Sequence, residues 1–317
     1  MQILNKKLPN IIFRVDSSSI IGTGHLIRTL TLANELKEHF NIIYITKELI
    51  GNRDYLIEQN GFKKVTLKRS FLETVEKYKP ILIIIDHYQI SLEEETLINE
   101  KYKLLVFDDE YKKHQCNILL NHSIISTQEQ YSKLVNKNTK VLTGSYYTLL
   151  SDKFLGHKYK KSSILKVLIT LGGSDPLNLS EKVLKALNSN VTIVTTSANP
   201  KASYLKRKYP NTIINCSDMA SLILKFDLVI TSASTSLLEV IALKKPFIAI
   251  QTATNQRSTV DILSTENFKN FINNFNAAKL KRAVIFCKIE QKKIEKFLNS
   301  YTFHKANVAK EIISEFK

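Results

Sequence analysis

Tryptophan is absent from the 317 residues, and cysteine occurs three times, at Cys116, Cys216 and Cys287. Thiols this far apart and odd in number give neither a disulfide framework nor a zinc cluster, and they suit a reducing compartment. No apolar run reaches the ~18 residues of a membrane-spanning helix, and the opening "MQILNKKLPNIIFRVDSSS" lacks the apolar stretch of a signal peptide. The expectation is a soluble, cytoplasmic protein without an integral membrane segment. A GxSxG elbow is missing, and no cysteine stands in a nucleophile pattern with a histidine, so hydrolysis through a covalent serine or cysteine is not supported.

What is present is ordinary for a globular chain, 44% apolar and 24% charged. At roughly 150 residues per domain the length suits two units. A net charge of +17 raises the question of nucleic acid. The lysines, however, are spread among glutamates in segments such as "EKYKP" and "IEQKKIEKFL", as on solvated faces. Nucleic acid is therefore not expected as a partner, and the oligomeric state is open, a monomer being compatible.

Short β-branched runs alternate with helical stretches. Strands are predicted at 11–16, 41–46, 64–68, 81–88, 103–110 and 116–121. The run Ile81 to Ile85 lacks polar alternation, which implies burial on both faces, as in a parallel strand covered by helices. A lysine-rich linker follows at 151–163, and the pattern restarts with strands at 166–173, 190–197, 211–217, 226–234 and 246–253. The fold class is α/β, two Rossmann-like domains facing a cleft, with the first at 1–155 and the second at 156–317. The tail from about 276 has apolar residues at helical spacing; it would close the second domain or strap it to the first, a membrane-surface helix being the alternative.

Three stretches carry candidate chemistry. In "SSSIIGTGHLIRTL", Gly22 and Gly24 form a turn before a helix, where free N–H groups meet a ligand. A third glycine and an acidic residue ending the second strand are missing, which disfavours a nicotinamide dinucleotide. His25 stands instead at the helix start, where a neutral imidazole is favoured and can act as a general base. In the second half, "TLGGSDPLNLS" places Gly173 and Ser174 after a strand, and "ITSASTSLLEVIALKKP" places Ser234 and Thr235 at a helix start with Glu239 one turn in. These groups could meet a diphosphate and a ribose; plain N-capping by the serines is the equal alternative. Asp86, Tyr88, Asp108 and Asp109 end strands where open α/β sheets bind ligands. No supporting ligand spacing accompanies the two aspartates, so neither metal nor cofactor is expected.

The segments "FRVDSSSIIGTGHLIRTLTLA", "LIIIDHYQIS", "LLVFDDE", "CNILLN", "TLGGSDPLNLS", "ITSASTSLLEVIALKKPF" and "NQRSTVDIL" together resemble, in order and spacing, the UDP-2,4-diacetamido-2,4,6-trideoxy-β-L-altropyranose hydrolases of pseudaminic acid biosynthesis. The likeness runs from about residue 11 to 265. It implies a B-type glycosyltransferase fold and metal-independent, inverting cleavage of a UDP-sugar at the anomeric carbon by water. It further implies that His25 activates the water and that Tyr88 and Asn255 contact sugar or phosphate. By the same likeness Ser234 and Glu239 line the uridine diphosphate pocket. Asp16, Gly22, Gly24, Arg28, Asp86, Gly173, Ser174 and Thr235 complete the expected substrate-binding set. An inverting UDP-sugar glycosyltransferase and a hydrolysing UDP-sugar 2-epimerase are the alternatives.

Overall fold

A computed structural model describes residues 8–187, 190–264 and 268–316, the side chain of residue 255 apart. The chain divides into two units, Met1–Leu149 with His304–Lys317, and Leu150–Phe303.

The first unit is built on a seven-stranded sheet of order β3-β2-β1-β4-β5-β6-β7, parallel throughout. Its strands are β1 (Asn10–Val15), β2 (Asn41–Thr46), β3 (Lys63–Thr66), β4 (Leu82–Asp86), β5 (Lys103–Phe107), β6 (Ile118–Asn121) and β7 (Lys140–Thr143). The helices are α1 (Gly24–Leu36), α2 (Tyr55–Gln59), α3 (Phe71–Glu76) and α4 (Leu92–Asn99). Successive side chains of a strand point to opposite faces. Ile11, Phe13 and Val15 accordingly pack with Leu26, Leu30 and Leu36 of α1 on one side, while Ile12, Ile83 and Ile85 pack with Val75 and Ile98 on the other. Burial on both faces is the reason the strand sequences are apolar without alternation.

The second unit repeats the design with a six-stranded parallel sheet of order β10-β9-β8-β11-β12-β13. Its strands are β8 (Lys166–Thr170), β9 (Asn190–Thr195), β10 (Ile213–Ile214), β11 (Leu228–Ser232), β12 (Phe247–Ile250) and β13 (Phe271–Ile272). Its helices are α5 (Leu179–Lys185), α6 (Ala202–Lys208), α7 (Met219–Leu224), α8 (Thr235–Ala242), α9 (Arg257–Leu263), α10 (Ala277–Ile289) and α11 (Gln291–Asn299).

The last helix, α12 (Asn307–Glu315), belongs to the first unit, where Val308, Ala309 and Ile312 enter the core beside α1. The expected second domain running to residue 317 is thus corrected, and the strap reading of the tail describes its end. Glu311 pairs with Lys140 and accepts from Tyr147 Oη at 3.2 Å, while Glu315 meets Lys103 at 3.3 Å. Strand β7 was not expected, because "KVLT" is short and polar at its edge, and the two residues of β13 give no periodic signal at all. Strand β4 also ends at Asp86, which leaves His87 and Tyr88 in the following loop.

Candidate active site

In the first sheet β1 lies between β2 and β4. The chain leaves β1 toward one side and β4 toward the other, so a crevice opens at their carboxyl ends, the usual place for a ligand in such sheets. The loop after β1 is shaped by its own hydroxyls. Ser18 Oγ accepts from the backbone N–H of Ile20 at 3.2 Å and of Ile21 at 2.9 Å. Gly22 then turns the chain with φ of 81°, a left-handed backbone that a Cβ would strain. Gly24 does not share this role; it is the first residue of α1. Thr23 makes no side-chain cap and no acidic residue occupies the first turn, so the helix start keeps its partial positive charge.

His25 is the second residue of that helix. Its Nδ1 lies 2.5 Å from Asp86 Oδ1. Arg28 Nη2 also lies 3.0 Å from Nδ1 but donates to the same carboxylate at 2.6 Å; since a carboxylate can only accept, the shorter contact puts the hydrogen on Nδ1 and the lone pair on Nε2. Nε2 has no partner among the described residues and is not among the buried unpaired atoms. Arg28, one turn on, holds Asp86 bidentately, through Nε to Oδ2 and Nη2 to Oδ1, both at 2.6 Å. Burial alone would push the Asp86 carboxyl up, but Arg28 and His25 hold it well below the usual carboxylate range. The imidazole and the carboxylate thus stand in the arrangement that a general base and its orienting carboxylate would need.

Three further residues complete this cluster. Arg28 Nη1 donates to Asp109 Oδ2 and to His122 Nε2, each at 3.1 Å. Burial, with the Arg28 charge beside it, pushes the His122 imidazole down to about 3, so His122 is neutral and accepts. Tyr88 Oη donates to Asp109 Oδ1 at 2.9 Å, and its ring stands edge-on to His25 with centroids 4.7 Å apart. His25, Arg28, Asp86 and Tyr88 of the expected set thus come together. Asp109 was seen only as a strand-end carboxylate, and His122 was missed. The signal for both was their place at the carboxyl ends of β5 and β6.

Asp16 is held in a separate network. Its carboxylate is taken by Arg14 at 2.5 and 2.8 Å, by the backbone N–H of Lys47 at 2.7 Å and by His87 Nε2 at 2.9 Å. Burial opposes its ionisation, but the bonds to His87 and Arg14 hold it far below the ordinary value. These bonds tie the end of β1 to the residues that follow β2 and β4. A similar buried cluster stands behind β5: His114 Nδ1 lies 2.8 Å from Glu95 Oε1 and Tyr131 Oη donates to Asp108 at 2.8 Å. Burial works against His114 protonation, yet Asp108 and Glu95 bring it up to about 9.

The second unit has its own crevice between β8 and β11. Gly173 follows β8, and a Cβ there would meet Thr196 Oγ1 at 3.0 Å. Ser174 is half-buried beside it. The N-terminus of α5 is already occupied, since Asp175 accepts from the N–H groups of Leu179 and Ser180 at 2.9 Å each. The start of α8 is not: Ser234 turns its hydroxyl to Ser232 at 2.8 Å instead of capping, and no acidic residue sits in the first turn. Thr235 opens that helix. Glu239, half-buried further along it, has no partner among the described residues, and burial pushes its carboxyl up to about 7. The side chain of Asn255 lies outside the described residues. Among the described residues no group of three or more His, Cys, Asp or Glu could hold a metal ion, and no helix is long and apolar enough to cross a membrane.

No family model matches the chain. The UDP-2,4-diacetamido-2,4,6-trideoxy-β-L-altropyranose hydrolase of Campylobacter jejuni is 32% identical over 270 residues, covering 82% of this chain and 97% of that protein. Among solved structures, MurG of Acinetobacter baumannii superposes with a TM-score of 0.62 at 12% identity, covering 97% of this chain and 99% of that one. The glycosyltransferase SnogD of Streptomyces nogalater gives 0.59 at 13% identity, over 98% of this chain and 100% of that one. The fold is accordingly the B-type glycosyltransferase fold, with two Rossmann-like units.

Proposed function

Since the chain belongs to the family of the Campylobacter jejuni UDP-2,4-diacetamido-2,4,6-trideoxy-β-L-altropyranose hydrolase, we propose that it catalyses the same reaction, releasing UDP and 2,4-diacetamido-2,4,6-trideoxy-L-altrose as a step toward pseudaminic acid. Water attacks the anomeric carbon, one of its protons passes to His25 Nε2, and the bond from that carbon to the diphosphate oxygen breaks with its electron pair leaving on UDP. The configuration inverts, because water enters opposite the departing group.

The observation that carries this reading is the His25–Asp86 contact of 2.5 Å with Nε2 unpartnered among the described residues. As the water gives up its proton, Asp86 stabilises the forming imidazolium and keeps the ring oriented, a contribution of about 10²–10⁴-fold for a positioned base. UDP needs no strong acid to leave if its charge is met by hydrogen-bond donors and dipoles. The reading gives that task to the uncapped start of α8 with Ser234 and Thr235, and to the close backbone approach allowed at Gly173 and Ser174. Glu239 takes the ribose hydroxyls, and Tyr88 and Asn255 contact the sugar or phosphate.

The test is incubation of the purified protein with the UDP-sugar alone in oxygen-18 water, followed by NMR and mass spectrometry. Release of UDP, the label on the sugar and an inverted anomer at first appearance are expected. Release only after a sugar acceptor is added would make the protein a transferase.

A further inference from the structure

We infer that Asp109 is a positioning residue for the attacking water, acting through Tyr88 by accepting the hydrogen bond of that tyrosine's hydroxyl. This rests on the hydrolytic reading above. A water that gives one hydrogen to His25 Nε2 and keeps a lone pair toward the anomeric carbon has a second hydrogen to place. It is oriented only if a hydrogen-bond acceptor stands beside the imidazole.

Tyr88 stands there, with its ring edge-on to His25 at 4.7 Å between centroids. A tyrosine hydroxyl both donates and accepts, so what it offers a water depends on where its own hydrogen is placed. Asp109 decides that placement. Its Oδ1 receives the Tyr88 hydroxyl at 2.9 Å, and a carboxylate has no hydrogen to give back, so the Tyr88 oxygen faces its other neighbours as an acceptor. Asp109 is itself held, because Arg28 Nη1 donates to its other oxygen at 3.1 Å. The same guanidinium grips Asp86, so base and acceptor are set from one side chain.

The substitution Asp109→Asn distinguishes this from a packing role. An asparagine has one acceptor oxygen, which the Arg28 donor claims. Its NH₂ then faces Tyr88 and reverses the bond, turning the tyrosine hydroxyl outward as a donor. The measurements are kcat and KM for UDP release by the wild type, Asp109→Asn, Tyr88→Phe and the double variant, together with NMR of protein labelled at tyrosine Cζ with carbon-13. The Tyr88 signal is assigned from its loss in Tyr88→Phe.

We expect kcat of Asp109→Asn to fall about 10-fold, the worth of one well-placed hydrogen bond. KM should stay within about twofold, the signature of an interaction used in the transition state alone. The Tyr88 resonance should move, and Asp109→Asn should cost nothing further in the Tyr88→Phe background. An unmoved resonance, or an equal loss of kcat in both backgrounds, overturns the inference. Thermal midpoints and UDP affinity separate either result from misfolding. A wild type that releases no UDP would instead overturn the hydrolytic reading, and the resonance then decides alone whether Asp109 holds the Tyr88 hydroxyl.

Discussion

His25 Nδ1 and Asp86 Oδ1 approach to 2.5 Å although the residues are 61 positions apart. The contact exists because β1 and β4 are neighbours paired in parallel, with Val15 opposite Asp86, so the helix after β1 begins beside the end of β4. An alanine at 25 should lower kcat for UDP release by about 10²–10⁴-fold. The affinity for UDP should be unchanged, since the nucleotide is assigned to the other unit. Steady-state kinetics with calorimetric titration of UDP checks both, and undiminished turnover would remove His25 from the mechanism.

The Arg28–Asp86 pair should also carry stability. Both side chains are nearly fully buried, at 6% and 1% exposure. Removing the cation leaves a buried carboxylate with only part of its compensation, so Arg28→Ala should destabilise the fold by about 3–5 kcal/mol. The sign with pH follows from the depressed Asp86 carboxyl. Its contribution is present above the unfolded value of about 3.9 and is lost as pH falls through the folded value, so stability should decline below about pH 4. Urea unfolding across acid pH should give a shallower slope in Arg28→Ala than in the wild type.

Much of this architecture is legible in the sequence. Burial on both faces leaves uninterrupted isoleucine and leucine in "ILIIID", and glycine followed by histidine after β1 marks a turn and a helix start. Less visible were contacts between elements far apart in the chain. Asp16 joins the expected set through the family likeness alone, and nothing local in the sequence shows that Arg14, His87 and the N–H of Lys47 bond to its oxygens. His122 gives no local cue, since its meaning comes from Arg28 across the sheet. In the same way the capping falls on a residue the sequence did not single out: Asp175 accepts from the N–H groups at the start of α5, while Ser234 leaves the start of α8 uncapped.

If Asp16 is a support, Asp16→Asn should behave as a stability variant. Its amide has only one acceptor oxygen for four donor atoms, and one face would set an N–H against a donor. The thermal midpoint should fall, while KM for the UDP-sugar in the folded protein should change by no more than about twofold. A rise in KM of about tenfold or more, at unchanged thermal midpoint, would return Asp16 to the binding site.

Glu239 provides a pH signature in the second unit. Burial raises its carboxyl to about 7, so it is mixed in charge near neutrality. A carboxylate accepts from both ribose hydroxyls, whereas the acid offers a poorer acceptor set. UDP should therefore bind more tightly as pH rises from 6 to 8, and Glu239→Gln should flatten that dependence. The unliganded fold should show the opposite slope. A carboxyl raised in the folded state binds more protons than the unfolded chain between about 4.3 and the folded value, so its contribution to stability falls as pH rises across that window.

The end of the chain should matter to the unit it returns to. Val308, Ala309 and Ile312 are at most 1% exposed and sit in the core that also holds Leu36 and Phe40. Burying a valine or isoleucine side chain stabilises by about 1.5–3 kcal/mol, so losing α12 removes a large part of the 5–15 kcal/mol typical of a domain. It would also expose the surface of α1, the helix that presents His25. A chain ending at Phe303 should consequently show early unfolding of the first unit, with fast amide exchange in α1 and β1 and with the second sheet still protected. Hydrogen exchange read by mass spectrometry makes the comparison directly. Unchanged protection of α1 in the shortened chain would mean that α12 is a passenger, and that the core of the first unit is complete without it.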